Sequence, residues 1–203
     1  MANDEVQSPD NLSRRRFLTA TTAVVGAVGV GFVAVPFIKS WDPSARAKLA
    51  GAPTIRALDD IAEGQQVTVM WRGQPIFIAR RTKPMLATLP GMDALVVDPA
   101  SDNPSQTPEF AKNEYRSIKP EILVLVGVCT HLGCAPEYMP EVKPMPFDAE
   151  WKGGYFCPCH KSKYDIAGRV FKAQPAPLAL AVPPYHFQDD NTLVIGVAPK
   201  GAA

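Results

Sequence analysis

Cys157-Pro158-Cys159-His160-Lys161-Ser162-Lys163-Tyr164 sets two thiols and an imidazole within four positions, more soft metal-ligand capacity than a turn requires. A second run, Cys129-Thr130-His131-Leu132-Gly133-Cys134, lies about 22 residues upstream, and the two runs together hold all four cysteines and two of the three histidines of the chain. In each run a cysteine is followed two or three residues later by a histidine. Each loop can therefore offer one thiolate and one imidazole to a shared centre. Two Cys and two His also suit tetrahedral zinc, but C-x-H and C-x-x-H are not finger spacings, and two cysteines would be left without a role.

The surroundings of these runs read as β structure. Gln66–Trp71 and Gln74–Arg80 alternate Val, Ile and Phe around Arg72-Gly73 and predict a hairpin. Ile122–Val128 is apolar throughout and predicts a buried strand that delivers the chain to Cys129. Gly154–Phe156, Arg169–Phe171 and Leu193–Val197 are further strand candidates, and Thr107-Pro108-Glu109 reads as the start of one short helix running to about Ser117. Twenty-one prolines stiffen the intervening loops, and long helices are not expected past residue 40. His186 reads as a surface or packing residue, and Met85, Met92 and Met139 as core filler. The formal net charge of +1, with no basic stripe, excludes nucleic acid as a partner.

The N-terminus is of another kind. Phe17–Ile38 is uncharged and spans about 33 Å as a helix, enough to cross a bilayer. It follows Ser13-Arg14-Arg15-Arg16-Phe17-Leu18, which resembles a twin-arginine export signal. Its length exceeds the apolar stretch of a cleaved signal, so a retained anchor is expected. The expected organisation is a cytoplasmic tail over 1–16, a transmembrane helix over 17–38, a hinge linker over 39–53 and a mainly antiparallel β head over 54–203, with the ligand-bearing part at about 125–180.

The two Cys/His runs resemble those of the Rieske iron–sulfur family, C-x-H-x-G-C followed by C-x-x-H with an internal cysteine. The resemblance implies a [2Fe–2S] cluster with Cys129 and Cys157 on one iron, His131 and His160 on the other, and a disulfide between Cys134 and Cys159. Replacing two thiolates by neutral imidazoles leaves the oxidised cluster about neutral, so it is easier to reduce, and electron uptake is linked to imidazole protonation. Ser162 and Tyr164 match family positions whose hydroxyls hydrogen-bond cluster sulfur and a ligand cysteine. Leu132 matches the shielding residue at the tip of the first loop. Two departures stand out: Lys161 occupies the place of a family Gly, and Gln174-Pro175-Ala176-Pro177 resembles the family's covering loop with Gln in place of Gly.

Gly73–Thr82 and the N-terminal anchor are similar to the cytochrome bc1 branch. That resemblance implies a catalytic subunit of a ubiquinol:cytochrome c reductase in a bacterial plasma membrane, with its head in the periplasm. Its partners would be cytochrome b and cytochrome c1 in a dimeric complex. His160 would contact ubiquinol, His131 would be its exposed neighbour, and the head would swing between partners. A Rieske subunit of an arsenite-oxidase-like molybdoenzyme and a zinc-stabilised, redox-inactive anchored adaptor are the alternatives.

Overall fold

The computed structural model describes residues 9–45, 47, 51–199 and 201. Residues 1–8 of the expected tail and 46 and 48–50 of the expected linker lie outside these. The chain divides into two units, Met1–Lys48 and Leu49–Ala203. In the first, α1 runs Pro9–Lys39. Its stretch from Phe17 to Ile38 exposes Phe, Val and Ile side chains all round and is long and apolar enough to cross a bilayer.

The second unit is built on three small antiparallel sheets. β1 (Thr54–Ala57) pairs with β9 (Thr192–Ile195), which pairs with β8 (Tyr185–Asp189). β2 (Gln66–Trp71) and β3 (Gln74–Arg80) form the expected hairpin, with Trp71 opposite Gln74, and β3 pairs in turn with β4 (Ile122–Val126). The hairpin turn has positive φ at both Arg72 and Gly73, the geometry that matches strand twist in a two-residue connection. Ile76, Phe77, Ile78 and Ala79 of β3 and Ile122–Leu125 of β4 are buried, so these central strands face apolar matter on both sides.

The third sheet, β5 (Glu137–Met139), β6 (Gly154–Phe156) and β7 (Lys163–Tyr164), belongs to the stretch that carries the Cys/His runs. Phe77 of the larger sheet stacks on Tyr155 of β6 at 5.9 Å, and one apolar core therefore continues under both.

Three local expectations change. β4 stops at Val126: the amide of Gly127 still donates in register to the carbonyl of Pro75, but Pro75 has no N–H to return the bond, and on its other edge Val126 donates to the carbonyl of Ala181. A side chain at Gly127 would overlap the Phe77 ring. Arg169–Phe171 is not a strand but makes single bridges, Val170 to Tyr164 and Phe171 to Val96. The helix expected from Thr107 is one 3-10 turn, Glu109–Ala111. Asn113 ends it by accepting from the amide of Tyr115 and donating to the carbonyl of Ser117, which swings Arg116 inward.

At Gly154 (φ +148) an added Cβ would strike the backbone carbonyl of Tyr164 and come within 2.8 Å of the carbonyl carbon of Asp165. Gly154→Ala is expected to destabilise the head by about 3 kcal/mol. Calorimetry of the purified protein should show this as a fall in Tm of about 6–12 °C. An unchanged Tm would contradict this close approach of β6 and β7.

Candidate metal centre

Cys129 and Cys157 each open a six-residue turn, and the two turns are closed in the same way. In the first, the amide of Cys129 donates to the carbonyl of Cys134 at 2.7 Å and that of Gly133 to the carbonyl of Cys129 at 3.0 Å. In the second, the amide of Cys157 donates to the carbonyl of Ser162 and that of Lys161 to the carbonyl of Cys157, both at 2.8 Å. The fifth residue of each turn lies in the left-handed region, Gly133 at φ +87 and Lys161 at φ +64. Lys161 is thus accommodated without reshaping the loop, at the backbone cost that a glycine avoids.

This shared geometry buries the first cysteine of each turn, 3% exposed at Cys129 and 1% at Cys157, and leaves the tips outside. Cys134 and Cys159 form a disulfide that joins the turns across 25 residues of sequence. Cys129 and Cys157 stay free. The sulfurs of Cys134, Cys157 and Cys159 lie within 4.8 Å of one another, but two of these are bonded together, so Cys157 is the thiol of that group open to a metal. Burial, then a hydrogen bond with Cys129, pushes the Cys157 thiol above its ordinary pKa, so metal binding there displaces a proton.

The rings of His131 and His160 meet edge to face at 4.6 Å. The Nδ1 atom of His131 is buried and has no hydrogen-bond partner. Orphaned buried nitrogens are rare, and a metal bond is one way such an atom is satisfied. Two buried thiols, two adjacent imidazoles and an unpartnered ring nitrogen fit the S₂N₂ donor set of a Rieske-type [2Fe–2S] group. Leu132, 72% exposed, stands at the tip next to His131, and His160, whose ring meets that of His131, is exposed as well.

The other expected residues surround this core. The Tyr164 hydroxyl lies 3.1 Å from Cys129 Sγ, and burial followed by that contact raises the phenol pKa. Ser162 Oγ accepts the amide of Ala176 at 3.0 Å, which ties the covering loop to the second turn. Gln174 does work a glycine could not: its Oε1 accepts the amide of Lys163 at 3.2 Å. His186 bonds the carbonyl of Val197 through Nδ1 and has no part in the centre.

Sequence reading missed Thr130, whose Oγ1 donates to the carbonyl of Leu178 at 2.7 Å and so fastens the first turn to the covering loop. It also missed the buried Arg81, Arg116, Asp165 and Arg169. Burial of a charged side chain follows from long-range packing, so no local pattern could have marked them.

Two family models match the chain. The one described as "Ubiquitinol-cytochrome C reductase Fe-S subunit TAT signal" covers residues 5–44, and the "Rieske [2Fe-2S] domain" covers residues 95–184. A ubiquinol-cytochrome c reductase iron-sulfur subunit of Allochromatium vinosum is 50% identical, over 92% of this chain and 89% of that protein. The protein of the same name from Rhodospirillum rubrum is 48% identical over 91% of this chain and 92% of its own length. The mitochondrial Rieske subunit of the Candida albicans cytochrome b-c1 complex is 37% identical, over 89% of this chain and 75% of that protein.

The left-handed positions allow a paired test by thermal unfolding. An added Cβ at Gly133 meets nothing within 4 Å, so Gly133→Ala is expected to cost about 1 kcal/mol from the backbone alone. Lys161→Gly should stabilise the protein by about 0.5–1 kcal/mol. Opposite signs would contradict the equivalence of the two turns.

Proposed function

The chain belongs to the Rieske iron–sulfur subunits of ubiquinol–cytochrome c reductase, and from that membership we propose how its own residues carry out the reaction. The protein is the electron-accepting subunit of a cytochrome bc1 complex, anchored by α1 and partnered by cytochrome b and cytochrome c1. Cys129 and Cys157 hold one iron of a [2Fe–2S] cluster through their thiolates, and His131 and His160 hold the other. When bound, that cluster takes up and gives out one electron at a potential raised by its neutral imidazole ligands. The observation that carries this assignment is the convergence of two buried free thiols and two touching imidazoles on turns locked together by the Cys134–Cys159 disulfide.

Each residue then has a defined task. The buried cysteines keep water from the sulfur side, and because burial holds the Cys157 thiol protonated, it is metal binding that takes its proton away. His160, exposed at the rim, presents its outer ring nitrogen to ubiquinol, receives the proton that leaves with the electron, and passes it to solvent on release. His131 is the second imidazole of the site, its ring set edge to face against that of His160. Leu132 and the prolines at 175 and 177 form the apolar rim that presses against cytochrome b and excludes water.

With Cys129 as a thiolate, the Tyr164 hydroxyl, 3.1 Å from its Sγ, would be the donor, and the Ser162 hydroxyl, whose oxygen accepts the amide of Ala176, keeps its own proton free to donate toward the centre. Both lower the energy of the more negative state. The head lies in the periplasm of a bacterial inner membrane, in a dimeric complex. Residues 39–53 serve as the hinge over which it moves to cytochrome c1. The membrane anchor and the subunit names of the relatives favour this reading over a soluble molybdoenzyme partner or a zinc adaptor.

Two measurements test it. Dithionite-reduced purified protein should give the EPR signal of a reduced [2Fe–2S] centre with acid-labile sulfide, and protein with zinc and no sulfide would overturn the assignment. In protein-film voltammetry, Tyr164→Phe and Ser162→Ala should each lower the midpoint potential. Ser162→Ala should also lose about 1–3 kcal/mol of stability, because it leaves the buried amide of Ala176 unpaired. A midpoint unchanged in either variant would remove that hydroxyl from the site.

A further inference from the structure

Among the described residues, the charged side chains withdrawn from solvent are three arginines, Arg81, Arg116 and Arg169, against one carboxylate, Asp165, none more than 2% exposed. All four converge on one turn, Asp165–Arg169. Asp165 Oδ1 accepts the amides of Ala167 and Arg169 at 2.9 Å, and its Oδ2 takes Arg169 Nε at 2.6 Å. Arg169 also reaches the half-exposed Asp93 at 2.7 Å. Burial acts to lower the pKa of Arg169, but these two carboxylates outweigh it and leave the pKa raised. Arg169 is therefore a neutralised cation.

Arg81 and Arg116 are not. Arg81 donates to the carbonyls of Ile166 and Pro120 and to Ser117 Oγ. Arg116 donates to the carbonyls of Ala167 (2.9 Å), Leu180 (2.8 Å) and Gln106 and to Thr107 Oγ1. Every acceptor is neutral. Burial pulls both guanidiniums down to about 10, which still leaves them protonated at neutral pH. Arg116 is moreover held at φ +50, a left-handed conformation that its surroundings must enforce.

A multidentate donor suffices to explain the carbonyl contacts, but neither buried cation has a carboxylate in hydrogen-bond contact, and Asp165, already bonded to Arg169, acts on both only through space. The turn they grip follows directly on Tyr164, whose hydroxyl touches Cys129 Sγ at 3.1 Å.

We propose that Arg81 and Arg116, gripping the turn that follows Tyr164, supply a fixed positive charge that raises the reduction potential of the metal centre, with Asp165 partly offsetting it. This rests on the reading that Cys129, His131, Cys157 and His160 hold a [2Fe–2S] cluster. Electron uptake adds one negative charge there, and in a medium of low polarity a permanent cation favours that state. Neither arginine has to gain or lose a proton, so the contribution is constant across neutral pH, unlike that of the imidazoles.

The test compares midpoints of full-length Arg116→Met, Arg116→Lys, Arg81→Met and Asp165→Asn by protein-film voltammetry at pH 7, with EPR confirming cluster content. Each Met variant should hold the electron roughly tenfold less tightly, about 59 mV lower for a one-electron couple. Arg116→Lys should keep most of the potential, and Asp165→Asn should raise it. A general loosening of the site would not reverse sign between arginine and aspartate variants. The proposal is overturned by unchanged Met midpoints with an intact EPR signal, by Lys falling as far as Met, or by Asp165→Asn lowering the midpoint. If the arginine variants assemble no cluster, the sign of the Asp165→Asn shift decides. Failure of the parent reading would appear separately, as wild-type protein lacking the EPR signal.

Discussion

Two turns closed by the same pair of backbone hydrogen bonds, and bolted to each other by the Cys134–Cys159 disulfide, are the constraint on which the rest of this head depends. A turn in which residue one donates to residue six and residue five bends back to residue one directs the first side chain inward and the third and fourth toward the tip. Applied twice, face to face, it brings two thiols inside and two imidazoles to the rim, with no helix or long strand supplying a ligand. Such short loops would be mobile alone. The cross-link restricts them, and their anchoring strands β4 and β6 share a core through Phe77 and Tyr155.

The covering loop completes the enclosure by a series of single hydrogen bonds: Ser162 to Ala176, Thr130 to Leu178, Gly168 to Leu180 and Gln106 to Val182. Each joins it to a different part of the head. The prolines at 175 and 177 limit the conformations of the free segment, so few bonds are needed to fix it. Arg116 fastens the same region through the carbonyl of Leu180, and Arg81 ties Ser117 and Pro120 to Ile166. The chain between β3 and β4, which supplies both ends of this clamp, therefore bears on the centre without touching it.

The two Cys/His runs were legible in the sequence because their chemistry is local, and the structure keeps Cys129 and Cys157 as buried free thiols, sets the His131 and His160 rings against each other and joins the runs through Cys134–Cys159. The β2–β3 hairpin was legible for the same reason, since Arg72-Gly73 sets its turn and alternation sets its faces. What escaped was non-local. The end of β4 at Val126 is set by Pro75 and by the Phe77 ring, each far away in sequence. The Pro108 helix signal is sound as far as it goes, but Asn113 and the burial of Arg116 override propensity after one turn. Arg81 follows directly on β3, and no local pattern marks it for burial; only the packed head shows it among carbonyls. Lys161 was uncertain from sequence because nothing local says whether a left-handed residue is tolerated, and the matching Gly133 shows why one is required.

Mixed ligation by two cysteines and two histidines is the claim that most directly decides whether this chain is a quinol-linked redox subunit. Pulsed EPR on reduced full-length protein labelled with 15N-histidine addresses it without recourse to activity. The expected spectrum shows two histidine nitrogens coupled to the same cluster, one of which vanishes in His131→Cys. A reduced signal without histidine nitrogen coupling would contradict the account.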